Sequence, residues 1–121
     1  MQKTIAVIDD EEEFLEVMTS WLEDQGYRAV TATNADDGLS LLYKENPSLL
    51  LLDIMMPDTD GFEVLSKIRN DQRLSKVPVV MVSARGETGS IMEAQKLKAE
   101  DYVIKPFQSE VLLRTIRKHE R

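Results

Sequence analysis

Five side chains with chemistry to offer each close or directly follow an apolar run in this sequence. Asp9 and Asp10 follow Thr4–Ile8, Asp53 follows Leu49–Leu52, Ser83 follows Val77–Val82 and Lys105 follows Tyr102–Ile104. Taken singly, most have an ordinary reading. Asp9 and Asp10 could cap a helix and favour its positive end, Ser83 could serve a turn, and Lys105 could be a solvated lysine. Asp53 is harder to dismiss, because it ends a run of four leucines and would be partly desolvated beside two further acids. Three carboxylates at one edge repel one another unless a divalent cation or a buried ammonium neutralises them. An oxygen donor set without histidine or thiolate suits magnesium, with manganese as the alternative. Adding one hydroxyl and one ammonium completes a set suited to phosphoryl transfer. Metal and lysine would neutralise the equatorial oxygens while Asp53 attacks in line.

Positioning such a set requires the five runs to lie side by side. Thr4–Ile8, Arg28–Ala32, Leu49–Leu52, Val77–Val82 and Tyr102–Ile104 are short, rich in branched or aliphatic residues and bounded by polar residues, glycine or proline, and they read as strands. Helical spacing of apolar residues fills the intervals: Phe14, Met18, Trp21 and Leu22, then Ala35, Leu39 and Leu42, then Phe62, Leu65 and Ile68, and last Val111, Leu112 and Ile116. Gly26 and the pair Asn46-Pro47 end the first two helices, and Pro78 stands at the fourth strand. Thr88–Leu97 is the least apolar helix, with Gly86 and Gly89 at its start, and is expected to be the most mobile. Strict alternation of strand and helix implies a doubly wound α/β fold, a parallel sheet with helices on both faces. Such sheets bind ligands beyond the carboxyl ends of their strands, the edge where Asp9, Asp10, Asp53, Ser83 and Lys105 emerge. Phe14 and Trp21 read as core or boundary residues, and His119 as a solvated helix residue.

Composition narrows the partners. With 121 residues the chain has room for one core, so residues 1–121 read as one domain. A net charge of -7 disfavours direct binding to nucleic acid or to anionic membranes. No cysteine is present, which fits a reducing compartment, the cytoplasm by default. The longest aliphatic run, around Leu49–Leu52, is far short of the roughly 20 residues of a membrane span.

Asp9-Asp10, the segment from Leu50 through Asp53 and Pro57 to Gly61, Ser83-Ala84, and Asp101-Tyr102 through Lys105-Pro106-Phe107 together resemble the receiver domain of bacterial response regulators. The resemblance runs the whole length and implies the flavodoxin-like receiver fold, with five parallel strands in order 2-1-3-4-5 and five helices. It implies that Asp53 accepts phosphate from the phosphohistidine of a sensor histidine kinase or phosphotransfer protein. It further implies that Asp10 and Asp53 bind magnesium directly, Asp9 through water, and Met55 through its backbone carbonyl. Ser83 stands where the family's hydroxyl meets the phosphoryl group, Lys105 where a lysine pairs with it, and Tyr102 at the aromatic switch. The face of the fourth helix, fifth strand and fifth helix would then meet a downstream output domain or effector. The Lys105-Pro106 bond is cis in relatives, and Pro57 and Gly61 would shape the loop after Asp53.

This chain also departs from the family pattern. Lys98 replaces a frequent glycine, Met55 and Arg85 occupy positions that influence phosphate lifetime, and Val111 and Thr115 stand where a dimer-forming acid and arginine would be expected. Two other readings compete with a phospho-acceptor module that turns over no separate metabolite. A phosphatase of the haloacid-dehalogenase type also uses an aspartate nucleophile and magnesium, but it wants a second aspartate where Met55 stands, and a cap domain. A phosphorylation-independent pseudo-receiver would usually lack acidic residues that are all present here.

Overall fold

The computed structural model describes residues 2–121, and its sheet follows from where the apolar runs can hide. Five strands, β1 (Thr4–Ile8), β2 (Arg28–Ala32), β3 (Leu49–Leu52), β4 (Val79–Ser83) and β5 (Asp101–Ile104), alternate with five helices, α1 (Glu12–Asp24), α2 (Ala35–Glu45), α3 (Gly61–Arg69), α4 (Thr88–Lys96) and α5 (Ser109–His119). All neighbouring strands pair in parallel, in the order β2-β1-β3-β4-β5. The four leucines of β3, every one buried, take the centre, while β2 and β5 carry exposed residues and form the edges.

Alternation along the strands divides the core into two layers. Ala6, Ile8, Leu50, Leu52, Val79 and Met81 face one way and pack with Leu42, Leu65, Ile68 and Ala94 of α2, α3 and α4. Ile5, Val7, Leu49, Leu51, Val80 and Val82 face the other way and pack with Leu15, Met18, Leu22, Leu112 and Ile116 of α1 and α5.

Several boundaries differ from those read in the sequence. β4 starts at Val79 because Val77 closes the turn after α3, its amide donating to the Leu74 carbonyl at 3.0 Å. Pro78, which has no amide proton, still accepts from Leu50 at 2.8 Å. At its other end the strand runs through Ser83, which pairs with Ile104 of β5, rather than stopping before it. β5 gains Asp101, and α4 ends at Lys96 with Leu97 as its cap. In α1, Leu15 is fully inside while Phe14 and Trp21 sit at the margin. Val111 of α5 is 39% exposed, so it does not belong to the core face on which the helical spacing put it.

The departure at Lys98 has a structural counterpart: its φ is 68°, in the left-handed region that glycine adopts without cost. A neighbouring clasp holds it there. Arg69 donates to the Lys98 carbonyl at 3.1 Å and the Val77 carbonyl at 2.8 Å, and pairs with Glu100 at 2.7 Å. Lys98→Gly should therefore stabilise the domain by about 1 kcal/mol. A raised denaturation midpoint at unchanged cooperativity is the measurement that checks it.

Candidate functional site

The parallel register brings the chemistry together at the carboxyl ends of the strands. β1 and β3 pair through Ile8 and Leu52, so Asp9 and Asp53 emerge side by side, and the Asp53 amide donates to the Ile8 carbonyl at 3.0 Å. Leu52 is level with Met81 and Ser83 with Ile104, so Ser83 and Lys105 leave the next two strands at nearly the same height. The Lys105 amide donates to the Ser83 carbonyl at 2.9 Å. The Lys105-Pro106 peptide is cis, as the resemblance implies.

Asp9 and Asp53 are buried, at 1% and 6% exposure, whereas Asp10 faces solvent. The Lys105 ammonium spans the two buried acids, 2.6 Å from Asp9 Oδ2 and 3.3 Å from Asp53 Oδ2. Each carboxylate has a second anchor: Asp9 Oδ1 accepts the Glu11 amide at 2.9 Å, and Asp53 Oδ1 accepts the Ile54 amide at 2.7 Å. Neither Asp9 nor Asp10 caps α1, whose N-cap is Glu11 and makes no side-chain cap bond. Ser83 is fully buried, and its hydroxyl oxygen accepts the Arg85 amide at 3.2 Å. Tyr102 is half-buried and donates its hydroxyl to the Arg85 carbonyl.

Oxygen donors cluster tightly here. Carboxylate atoms of Asp9, Asp10, Glu11 and Asp53 lie within 4.8 Å of one another, a set that suits a hard divalent cation such as magnesium. Glu11 was not singled out in the sequence; the acidic run from Asp9 to Glu13 was the available signal, but only the turn at Asp9 decides which member of it faces Asp53. Met55 has an exposed side chain and bridges to Asp60 across the loop after Asp53. That loop is pinned at both ends. Asp60 caps α3 by accepting the Glu63 amide at 3.0 Å, and Asp58 accepts the Ala35 and Asp36 amides at the start of α2 at 3.1 and 3.3 Å.

Burial pushes the Asp9 carboxyl up to about 6, against the opposing pull of its hydrogen bond to Lys105. Burial also works against the Lys105 ammonium, but the hydrogen bond and charge of Asp9, reinforced by Asp53, outweigh it and hold Lys105 above the usual lysine range. A carboxyl whose folded pKa lies above its unfolded value stabilises the fold below the unfolded value, near 3.8, and that stability is lost as pH rises through about 6. Without divalent cations the protein should therefore lose up to about 3 kcal/mol from this group between pH ~4 and ~7. Asp9→Asn should flatten that part of the profile, as measured by denaturant unfolding at a series of pH values.

Comparisons with known proteins agree with this geometry. The family model described as response regulator receiver domain matches residues 5–117. The probable transcriptional regulator ycf27 of Guillardia theta is 36% identical over 116 residues, covering 96% of this chain and 44% of that protein. The phosphate regulon transcriptional regulatory protein PhoB of Pseudomonas aeruginosa is 32% identical over 111 residues, covering 92% of this chain and 48% of that protein. The chain thus spans about half the length of the curated relatives it matches. Among solved structures, a CheY-like receiver domain protein from Methanospirillum hungatei superposes with a TM-score of 0.90 at 28% identity, covering 98% of this chain and 93% of that one. The BeF3-activated N-terminal receiver domain of RstA from Klebsiella pneumoniae gives 0.88 at 26% identity, covering 96% and 97%. With the sheet order, the acidic cluster and the lysine at the fifth strand's end all in place, the chain belongs to the response regulator receiver domain family.

Proposed function

We propose that Asp53 is the phosphoryl acceptor of this receiver domain and that Lys105 and Ser83 are the groups that answer the added charge. One observation carries the reading: the largely shielded Lys105 ammonium is held between the buried Asp9 and Asp53 at the strand ends, with the buried Ser83 hydroxyl at the end of the neighbouring strand. The Asp53 carboxylate attacks phosphorus of a phosphohistidine. The P–N bond breaks with its electron pair returning to the imidazole, and an acyl phosphate forms on Asp53. Lys105 then pairs with a phosphoryl oxygen, and Ser83 donates to another. Asp9, Asp10 and Asp53, with the Met55 backbone carbonyl, would hold magnesium or manganese, which supplies charge neutralisation at the phosphoryl oxygens.

A phosphoryl group brings about 1.5 to 2 negative charges and three strong acceptors. Drawing Ser83 toward it would loosen the Arg85 segment on which the Tyr102 hydroxyl rests. Tyr102 is in this reading the aromatic switch, and the α4-β5-α5 face is its output. Met92, Ile104 and Val111 leave that face 60%, 43% and 39% exposed, surface suited to an output domain or effector. The donor would be a cytoplasmic histidine kinase or phosphotransfer protein. Among the described residues no helix is long and apolar enough to cross a membrane. The domain acts in this account as a regulatory acceptor, not as an enzyme on a separate metabolite, and reads neither nucleic acid nor lipid itself.

Incubation with acetyl phosphate and magnesium tests the proposal by intact mass. The expected result is a base-labile gain of one phosphoryl group that requires the metal and is absent in Asp53→Asn. No gain, or a gain that Asp53→Asn leaves unchanged, would overturn it.

A further inference from the structure

The Lys105 ammonium has an aromatic neighbour besides the acids around it. Its Nζ lies 4.0 Å from the centroid of the Phe14 ring, over the ring face. We propose that Phe14 is a positioning residue for Lys105, its ring face holding the ammonium between Asp9 and Asp53. The inference rests on the reading of Lys105 as the group that meets the phosphoryl oxygens.

A lysine side chain is a flexible four-carbon stem that ends in a compact, strongly hydrated charge. Here only 14% of it is exposed, so water cannot solvate the ammonium on all sides. Asp9 and Asp53 take it on one side at 2.6 and 3.3 Å, and Glu11 stands further off at 3.7 Å. On the side of Phe14 an aliphatic residue would place hydrocarbon against a charge and offer nothing in return. An aromatic face carries negative quadrupole density and attracts the cation, more strongly where water is scarce.

The ring is itself held. Phe107, two residues beyond Lys105, packs edge-on against it at 6.4 Å between centroids and 85° between planes, an arrangement aromatic pairs favour. Phe14 also packs against the core layer beneath α1 and α5. The first turn of α1 and the segment after β5 therefore meet through the ring, and Lys105 is pinned where they meet. Helical spacing alone marks Phe14 as a boundary residue of α1, which accounts for its burial but not for the ammonium on its face.

The experiment compares acetyl phosphate-driven phosphorylation of wild type, Phe14→Leu, Phe14→Tyr, Phe14→Trp, Lys105→Gln and the double variant Phe14→Leu/Lys105→Gln, at saturating magnesium. Leucine keeps an apolar side chain without the π face, and it should slow phosphorylation roughly five- to tenfold. Tyrosine and tryptophan should stay within about twofold of wild type, since both keep a ring. Adding Phe14→Leu to Lys105→Gln should cost nothing further, because the cation is already gone. A second readout does not depend on activity: in wild type the Lys105 ε-methylene protons should show an upfield ring-current shift in NMR, and Phe14→Leu should abolish it. An unshifted ε-methylene, a leucine variant as fast as the aromatic ones, or an equal loss in the Lys105→Gln background would each overturn the role of Phe14. Lys105→Gln phosphorylating at the wild-type rate would instead overturn the reading of Lys105, and the inference with it.

Discussion

Gly61→Ala should lower the stability of the domain by about 3 kcal/mol and its melting midpoint by roughly 10 °C, as followed by circular dichroism. The cause is a close backbone approach. A β-carbon at Gly61 would press on the Asp53 carbonyl oxygen and would lie 2.8 Å from the Ile54 Cα and 2.9 Å from the Asp53 carbonyl carbon. These atoms are main chain at the end of the buried central strand, and the Gly61 amide donates to the Ile54 carbonyl at 2.7 Å, so the strand cannot yield without moving Asp53. The glycine thus serves the site as well as the fold: it lets α3 begin directly against the residue that carries the proposed chemistry. Phosphorylation of the folded fraction should also slow, because displacing Asp53 separates it from Lys105. A Gly61→Ala variant of unaltered stability would show that the loop adapts and does not clamp the strand.

Lys105→Met should cost about 3 kcal/mol near pH 7.5 in the absence of divalent cations, since it leaves two buried carboxylates without their cation. The loss should shrink on acidification. Burial already pushes the Asp9 carboxyl up to about 6, and without the ammonium it rises further above its unfolded value. The variant's stability is therefore retained at low pH and lost as pH climbs through the raised pKa. Millimolar magnesium should restore much of the stability at neutral pH by replacing one neutralising charge with another. Denaturant unfolding at pH ~5.5 and ~7.5, with and without magnesium, gives the four values needed. Equal losses under all four conditions would mean that the lysine supports the fold by packing rather than by charge.

Most of the architecture is legible in the chain because burial on both faces leaves a plain trace. The four leucines of β3 read as a strand with Asp53 at its carboxyl end, and the sheet buries all four at its centre. The start of β4 was not legible, because Val77 and Pro78 look like strand residues; whether they join the ladder depends on the turn after α3, in which Val77 bonds to Leu74. Val111 shows the limit of helical spacing, which gives a face but not its width; the residue falls at the margin and is exposed. Within the site, residue types announced the acids, the hydroxyl and the lysine. Which acid holds the lysine more closely was hidden, because that depends on how deeply each strand end is buried and on stem conformations set by long-range packing. Phe14 and Glu11 were missed for a related reason: α1 turns both toward residues more than forty positions away, Glu11 to Asp53 and Phe14 to Lys105 and Phe107.

Reductive trapping tests the central claim most directly. After reaction with acetyl phosphate and magnesium, borohydride converts an aspartyl phosphate to homoserine, and peptide sequencing by mass spectrometry locates it. The account predicts homoserine at position 53 alone, in a yield that falls when magnesium is withheld. Homoserine at position 9, 10 or 60, or none at all, would contradict it.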